Sequence, residues 1–421
     1  MLECNTITLL GEKYAGPVIV TYVRWILAQA LQNGIDRIYF LARDGWILKN
    51  IAEEISQKYY LPIECRYLYC SRYSLRIPTY CFIGEEAFDI LFAPAMKNTI
   101  LKIFERAGLD KSAQNVVLEK TKIEVAPDKL LNRTEYDYVC RELRNCNLFR
   151  SLVVERSMDA YKNTIGYFRQ EGIFSDIRYA IADSGWTGSM QHSLRQLIEH
   201  EGYSKKLLGF YFGMYTPPKN ILDGNFLSMY FSAQKNILRK MFFCNNLMEC
   251  WLAAPHAMTR SYAFSDGRYF PVLDDGGEGE NGTLVSLHVQ GIKNYMASLN
   301  DEQIDPRMMK QKKEIRRIYR TLKKIMAFPS STEAKCYGQY RFNDDITCDG
   351  FDRLAESTQV KYLKNYSIPK RVFRKLSHRG DKPLTPLFWP YGTASLAPWH
   401  KRWWYRLNLI IGEFLRAAFL K

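Results

Sequence analysis

The stretch Ile177–Gln191, I-R-Y-A-I-A-D-S-G-W-T-G-S-M-Q, carries the pattern that decides the fold. A short apolar run, Tyr179–Ala182, ends at Asp183 and is followed by a turn that contains glycine. After the turn, apolar residues recur at helical spacing, at Met190, Leu194, Leu197 and Ile198. The segment therefore predicts a buried strand, a glycine turn and a helix.

This glycine turn has the features of an anion-binding site. Gly185 and Gly188 let the backbone approach a ligand closely, and the N-terminus of the following helix adds partial positive charge. Three hydroxyl groups lie in the same turn, on Ser184, Thr187 and Ser189. Asp183 could hold sugar hydroxyls or a metal ion beside the anion. The turn thus favours a phosphorylated sugar, and the alternative is an ordinary strand-to-helix connection with Ser189 as its cap.

The first part of the chain alternates between helix and strand patterns. In order, these predict a helix over Val18–Leu31, a strand over Ile38–Ala42, the turn Arg43-Asp44-Gly45, a helix from Trp46 and an apolar strand over Cys65–Cys70. Such alternation predicts a Rossmann-like α/β fold with a parallel sheet and crossover helices. Ligands bind outside the carboxyl ends of parallel strands. The turn Arg43-Asp44-Gly45 and the glycine turn after Tyr179–Ala182 could therefore face one crevice.

The rest of the chain divides into further regions. Residues 84–153 are helical and rich in charge, which predicts a helical subdomain inserted into the sheet. The strand pattern returns at Arg178 and at Leu207–Met214, whereas residues 274–282, D-D-G-G-E-G-E-N-G, predict a flexible acidic loop. We therefore expect an α/β catalytic domain over residues 1–272 and a helical, basic C-terminal region over residues 273–421.

The positive charge of the chain constrains its partners. Its 421 residues carry a formal net charge of +15, which favours phosphates, nucleic acid or an anionic membrane face. A predicted helix, Pro306–Ile325, is strongly basic, with Glu314 as its single acidic residue. From Trp399 onward, tryptophans stand among cations ahead of an apolar helix, which is typical of a membrane-surface segment. Packing of this last helix on the core is the alternative.

Cysteine usage and hydropathy indicate the cytoplasm. The ten cysteines are scattered without close C-x-x-C pairs, so we expect reduced thiols rather than a zinc site or a disulfide scaffold. The first residues show no basic leader ahead of an apolar run, and no stretch reaches the ~18 consecutive apolar residues of a spanning helix. We expect a cytoplasmic protein, with a peripheral position at the inner face of the cell membrane as a further option.

Several cationic and acidic residues could complete a site at the two turns. Arg43 could neutralise phosphate charge beside Gly45, and Asp44 could bind magnesium or orient hydroxyls; a structural salt bridge is the alternative for Arg43. Arg72 follows the strand Cys65–Cys70 and could reach a phosphate, unless it only adds surface basicity.

A third cluster lies in residues 240–256, K-M-F-F-C-N-N-L-M-E-C-W-L-A-A-P-H. Glu249 is a candidate general base for an acceptor hydroxyl, and Asn246 and His256 are candidate substrate contacts. The alternative for Glu249 is capping or ion pairing at the surface.

Together these segments resemble a known family. The segments are F-L-A-R-D-G-W-I-L (40–48), Y-L-Y-C-S-R-Y-S-L (67–75), I-A-D-S-G-W-T-G-S-M-Q (181–191), G-F-Y-F-G (209–213) and N-N-L-M-E-C-W-L-A-A-P-H-A-M-T (245–259). They are similar to the C-terminal half of two-domain proteins from bacterial surface-polysaccharide genes, which are often labelled haloacid-dehalogenase-type hydrolases. The resemblance covers residues 11–260, and more weakly the W-P-Y-G at Trp389.

The resemblance implies a phosphoribosyltransferase-related domain. Such an enzyme transfers 5-phosphoribose from phosphoribosyl pyrophosphate, with Mg²⁺, to a hydroxyl of a lipid-linked glycan acceptor. Arg43, Asp44 and Arg72 would then serve the leaving diphosphate and its metal, and Ser184, Gly185, Thr187, Gly188 and Ser189 would hold the 5-phosphate. Asp183 would contact the ribose, and Glu249 would accept the proton of the acceptor.

The chain also departs from the family. A phosphatase of the dehalogenase type needs a D-x-D motif, and neither Asp44 nor Asp183 has an aspartate two positions on. The resemblance therefore implies a separate phosphatase that completes ribofuranose formation. The glycine turn also differs from ordinary phosphoribosyl-pyrophosphate loops, which open with two adjacent acidic residues, since here Asp183 stands alone and Trp186 interrupts the hydroxyls.

Two other functional classes stay open. One is a glycosyltransferase that uses a different activated sugar, although the absence of D-x-D at either turn counts against a common nucleotide-sugar type. The other is a non-catalytic basic protein of polysaccharide assembly, or a nucleic-acid-binding protein, which predicts salt-sensitive binding of polyanions and no turnover. Under the leading hypothesis we expect no nucleic-acid partner.

Overall fold

The computed structural model describes residues 2–94, 98–204, 206–216, 225–232, 236–274, 281–342, 352–367 and 387–419. A five-stranded parallel sheet with the order β2-β1-β3-β4-β5 forms its centre. These strands are β1 (Arg37–Leu41), β2 (Glu64–Leu68), β3 (Tyr179–Trp186), β4 (Leu208–Met214) and β5 (Phe226–Phe231). Two small antiparallel pairs are formed by β6 (Thr259–Ser265) with β7 (Arg268–Leu273), and by β8 (Arg341–Phe342) with β9 (Asp352–Arg353).

Helices make up most of the remainder. The α-helices up to β5 are α1 (Leu2–Leu10), α2 (Gly16–Gln32), α3 (Gly45–Lys58), α4 (Arg72–Arg76), α5 (Glu86–Leu91), α6 (Ile100–Arg106), α7 (Lys111–Thr121), α8 (Arg133–Asn145), α9 (Asn147–Gln170) and α10 (Ser189–His200). After β5 come α11 (Ile237–Met241), α12 (Asn245–Leu252), α13 (Gly282–Ala297), α14 (Asp301–Ile304), α15 (Gln311–Leu322), α16 (Ser331–Gly338), α17 (Pro390–Ser395) and α18 (Trp399–Phe419). Short 3-10 or π turns cover Gly11–Ala15, Ile77–Thr79, Pro306–Met308, Lys323–Ala327 and Ser357–Tyr366.

Both faces of the sheet are covered by helices. Ile38 and Phe40 of β1 belong to the same buried cluster as residues of α2 and α3. Tyr39 and Leu41 point to the other face and belong to a second cluster with residues of α9 and α10. Alternate residues of a strand point to opposite faces, so a strand covered on both sides is apolar throughout. The expected Rossmann-like α/β architecture is thus confirmed.

Residues between β2 and β3 form a helical layer with its own core. Helices α5–α8 and the start of α9 share a buried cluster that includes Phe88, Phe104, Leu143 and Phe149. The C-terminal helices behave differently, because residues of α13, α15 and α16 join the main cluster on one face of the sheet. The division of the chain at residue 272 stays a prediction, and most of the predicted acidic loop lies outside the described residues.

Two predicted boundaries were wrong. Strand β3 does not end before Asp183 but runs to Trp186, because Asp183, Gly185 and Trp186 pair with β4. The basic helix begins at Gln311 rather than Pro306, since residues 306–308 form a separate 3-10 turn that the Asp305 side chain caps through the Arg307 N–H. The cysteines whose side chains the structure describes are free, namely Cys65, Cys70, Cys81, Cys140, Cys146, Cys244, Cys250 and Cys336.

Glu333 joins the N-terminal segment to α16. Its carboxylate, nearly buried, accepts hydrogen bonds from the Tyr14 hydroxyl at 2.5 Å, the Ser330 N–H at 2.7 Å and Lys324 Nζ at 3.1 Å. Burial alone would raise the pKa of Glu333, but these hydrogen bonds lower it to about 2. Ionised Glu333 is therefore stabilised by the folded state.

We expect Glu333→Gln to lower the free energy of unfolding at neutral pH by about 1–3 kcal/mol, because a charge-assisted hydrogen-bond network is lost. The folded pKa lies below the ordinary value of 4.5, so this contribution is present above that value and is lost as the pH falls toward 2. Urea denaturation followed by circular dichroism should show the difference from wild type shrinking between about pH 5 and pH 3. The exposed Glu119→Gln is the matched control, and a difference independent of pH would contradict the assignment.

Candidate active site

A cavity of about 400 Å³ opens at the carboxyl end of the sheet. It lies where β1 and β3 are neighbours, while the chain continues from β1 to β2 on one side and from β3 to β4 on the other. In sheets with this strand order, ligands bind in the crevice at that reversal. The volume is in the range of small-molecule sites.

Both predicted turns contribute to this one cavity. The predicted site residues in its wall are Arg43, Asp44, Arg72, Asp183, Ser184, Gly185, Thr187, Ser189 and Glu249. Their convergence follows from the parallel register, since Phe40 pairs with Ala182 and the two chains then leave the strands at the same edge. The peptide bond between Ala42 and Arg43 is cis.

Two carboxylates lie side by side in the crevice. The Ser184 hydroxyl donates a hydrogen bond to Asp44, and the buried Tyr22 hydroxyl donates to the backbone carbonyl of Asp183 at 2.6 Å. Burial raises the pKa of Asp44, and repulsion from Asp183 raises it further. Burial also raises the pKa of Asp183, with a contribution from Glu249, although the N–H groups of Ser184 and Gly185 act in the opposite direction. Ionisation of both carboxylates is therefore unfavourable in this crevice.

Two guanidinium groups stand beside these acids. Arg43 is half-buried in the cavity wall, and Arg72 is exposed at the first residue of α4. Within the described part of the chain, neither forms an ion pair, so the structural salt bridge considered for Arg43 is not found there. Both lower the pKa of Asp44 through space. They are positioned to meet an anionic ligand.

The glycine turn opens directly into a helix. Helix α10 begins at Ser189, and its N-cap is Gly188 in the left-handed conformation, without a side-chain cap. Ser189 is therefore the first residue of the helix and not its cap, and the first turn of α10 borders the cavity through Ser189. Gly185 has φ +113°, and a Cβ there would come within 2.3 Å of the Gly213 carbonyl oxygen. Only glycine fits where β3 and β4 approach so closely.

Glu249 projects from α12 into the same cavity. The Trp186 indole Nε1–H donates a hydrogen bond to Glu249 Oε1 at 2.7 Å. Trp186 itself lies at the end of β3 with a positive φ of 74°. The tryptophan that interrupts the hydroxyls in the sequence thus positions the carboxylate. Glu249 is half-buried and lines the cavity.

The remaining predicted residues lie outside the cavity wall. The Asn246 amide donates to the Phe388 carbonyl at 2.9 Å and accepts from Asn245 at 2.8 Å. His256 Nε2 is 2.7 Å from the Tyr67 hydroxyl, and its Nδ1 is 2.8 Å from the Ala257 carbonyl. Burial lowers the pKa of His256, which favours its neutral form. Gly45 starts α3, where a Cβ would come within 2.6 Å of the Phe40 backbone, and Gly188 supplies the N-cap of α10.

Sequence reasoning missed several residues of the cavity wall. They are Ala42, Cys70, Ser71, Trp186, Met190, Tyr215, Asn245 and Met258. Asn245 lines the cavity, whereas the predicted substrate contact was its neighbour Asn246. The spacing of residues in the sequence does not distinguish two adjacent positions of a short helix. Tyr215 directly follows β4, so the rule that sites form at carboxyl strand ends would have indicated it.

The two aspartates suit a divalent cation that is bound jointly with a substrate. In the part of the chain that the structure describes, no three His, Cys, Asp or Glu side chains form a metal-binding group. Mg²⁺, however, is commonly held by one or two carboxylates together with substrate phosphates. A cation at Asp44 and Asp183 would relieve their mutual repulsion. The donor set therefore fits Mg²⁺.

No protein-family model matches the chain, and no curated protein is detectably similar to it in sequence. The geometry of the cavity is thus the basis for a functional proposal.

We expect Asp183→Asn to stabilise the folded protein at pH 8 by roughly 1–3 kcal/mol, because it removes a buried charge that repels Asp44 and Glu249. An acid whose folded pKa is raised destabilises the fold once the unfolded chain ionises, so this gain should be absent near pH 4 and grow as the pH rises. Thermal and urea denaturation at both pH values measure it. The exposed Asp128→Asn serves as the control. Destabilisation by Asp183→Asn at pH 8 would show that the carboxylate is needed for folding.

Proposed function

We propose that the protein is a glycosyltransferase of the phosphoribosyltransferase type. It transfers 5-phosphoribose from phosphoribosyl pyrophosphate to a hydroxyl of a surface-polysaccharide glycan. The observation that carries the proposal is the convergence of two strand-end turns on one cavity, one with the pair Arg43 and Asp44, the other with an uncapped helix N-terminus. A donor with phosphate groups at both ends of a pentose needs two such regions.

The charges of the cavity wall support a donor that brings its own cation. Among the described residues of the wall, Asp44, Asp183 and Glu249 face the two cations Arg43 and Arg72, so these side chains do not by themselves favour a highly anionic ligand. Mg²⁺ held by Asp44 and Asp183 would supply Lewis-acid stabilisation of the departing diphosphate. Arg43 and Arg72 add donors for the same negative charge.

The opposite end of the donor fits the glycine turn. The first N–H groups of α10, together with the hydroxyls of Thr187 and Ser189, are suited to a terminal phosphate. The Ser184 hydroxyl, which was expected to join them, donates to Asp44 instead. Asp183 lines the same cavity as this turn and Asp44, where its carboxylate can orient the ribose or stabilise positive charge at the anomeric carbon.

Transfer needs one bond made and one broken. The acceptor oxygen bonds to the anomeric carbon as the bond from that carbon to the diphosphate oxygen breaks, and the proton of the acceptor hydroxyl passes to Glu249. The hydrogen bond from Trp186 holds this base in position. The product keeps its 5-phosphate, so a separate phosphatase of the haloacid-dehalogenase type would complete the ribofuranose.

Titration calorimetry with phosphoribosyl pyrophosphate and MgCl₂ tests donor binding. We expect saturable binding that needs the metal, and a loss of about 10- to 100-fold in affinity for Arg72→Ala, because a charged hydrogen bond to phosphate is removed. Asp183→Asn should also abolish binding although it stabilises the fold. The exposed Arg268→Ala is the matched control and should bind as wild type. Tighter binding of a nucleotide sugar would favour another glycosyltransferase, and no binding of either donor would favour a non-catalytic role.

Glu249→Gln tests the base. We expect pyrophosphate release in the presence of a lipid-linked glycan extract to fall at least ~100-fold, while donor affinity stays within about threefold, because the residue acts on the acceptor proton. Glu119→Gln should leave the rate unchanged. An equal loss of donor affinity in Glu249→Gln would assign the residue to donor binding.

A further inference from the structure

Helix α18 has an apolar stripe that the protein core does not cover. One side of α18 packs inward, with Asn408 and Leu409 buried. The exposed side carries Trp403, Trp404, Ile411, Phe414 and Leu415, with Leu407 half-buried among them. These positions recur every three or four residues, so they lie on one side of the helix. Trp403 is 70% exposed and Phe414 57%. Helix α18 therefore packs on the core along one side and exposes apolar residues on the other.

Helix α11 extends this apolar surface. It contacts α18, and its first two residues, Ile237 and Leu238, are exposed. Scattered apolar residues are normal on protein surfaces, but a contiguous patch is not. We call α18's exposed stripe together with Ile237 and Leu238 the apolar surface.

Cations of α15 border the apolar surface. Lys312 and Arg316 line a shallow groove together with Ile237 and Leu238. Within the described residues, neither forms an ion pair. Lys313, Arg317 and Arg320 are also exposed on α15, but they line a separate groove with residues of α2 and α13. Apolar side chains beside unpaired cations are complementary to the acyl chains and phosphates of an anionic bilayer.

One residue of α18, Glu413, lies near the active-site cavity. Tyr215 is part of the cavity wall, and burial is the main cause that raises its pKa, with Glu413 of α18 among the further causes. Glu413 also contributes to the raised pKa of Cys244, at the start of α12. Glu413 of α18 is therefore close enough to the cavity wall to act on it through space.

We propose that the apolar surface and the cations of α15 form a docking site for an anionic phospholipid bilayer. The stripe of α18 lies in the headgroup region, with its tryptophans at the interface and Ile411, Phe414 and Leu415 toward the acyl chains. No helix among the described residues is long and apolar enough to cross a bilayer. Delivery of a lipid-linked acceptor to the cavity rests on the proposed function, whereas the docking site itself does not.

Vesicle flotation with the full-length protein tests the docking site. We expect the protein to float with equimolar phosphatidylglycerol and phosphatidylcholine vesicles, and at least ~10-fold less with phosphatidylcholine alone. The triple variant Trp403→Ser/Ile411→Ser/Phe414→Ser should lower binding to the anionic vesicles at least ~10-fold. Its control, Val116→Ser/Leu130→Ser/Met158→Ser, changes exposed apolar residues of the helical layer and should float as wild type.

A charge variant separates the cations from the apolar contacts. Lys312→Glu/Arg316→Glu should lower binding to anionic vesicles ~10-fold or more, while Lys111→Glu/Lys122→Glu should not. Flotation of the triple variant equal to wild type, or no preference for anionic vesicles, would overturn the proposal. So would a dimer in light scattering that the triple variant makes monomeric without any vesicle binding, since a second copy would then cover the stripe. Calorimetry with phosphoribosyl pyrophosphate and MgCl₂ in the absence of lipid should give wild-type affinity for the triple variant, so a failure of donor binding is distinguished from a failure of docking.

Discussion

Repulsion between Asp44 and Asp183 at the reversal of strand order is the interaction on which the site depends. Strands β1 and β3 are neighbours. Asp44 follows the end of β1 and Asp183 lies within β3, so the sheet brings two carboxylates close together near its carboxyl edge. Their burial raises the pKa of both. A bound ligand or cation can offset the repulsion between two such carboxylates. Carboxylates with raised pKa values in a crevice therefore indicate a functional site.

Hydrogen bonds from uncharged side chains hold the groups around Asp44 and Asp183 in place. Tyr22 reaches from α2 to the backbone of β3 and holds the strand at Asp183. Trp186, at the end of the same strand, holds Glu249 on the opposite wall. Ser184 of β3 likewise donates a hydrogen bond to Asp44. Two of the three carboxylates, Asp44 and Glu249, are thus held by uncharged side chains of β3. The sheet and the helices on its two faces fix the geometry before any ligand binds.

The sequence predicts the parallel sheet and the nearness of the two turns, but not every residue that lines the cavity. The apolar runs of β1 and β3 and the glycine turn indicate a parallel sheet because only buried strands are apolar throughout. The nearness of the turn at Arg43 and the glycine turn was predicted only from the rule that ligand sites form at the carboxyl ends of parallel strands. The choice between Asn245 and Asn246 depends on the rotation of a short helix, and the role of His256 depends on Tyr67, a residue distant in sequence. Such long-range contacts leave no local periodic signal. The extension of β3 to Trp186 likewise depends on its partner strand.

The most direct measurement is a crystal structure with phosphoribosyl pyrophosphate and Mn²⁺, in which anomalous scattering locates the metal. The account predicts one donor molecule that spans the cavity, with its 5-phosphate at the first turn of α10, its diphosphate near Arg43 and Arg72, and the metal at Asp44 and Asp183. Donor density elsewhere on the molecule, or a metal bound away from both aspartates, would contradict it.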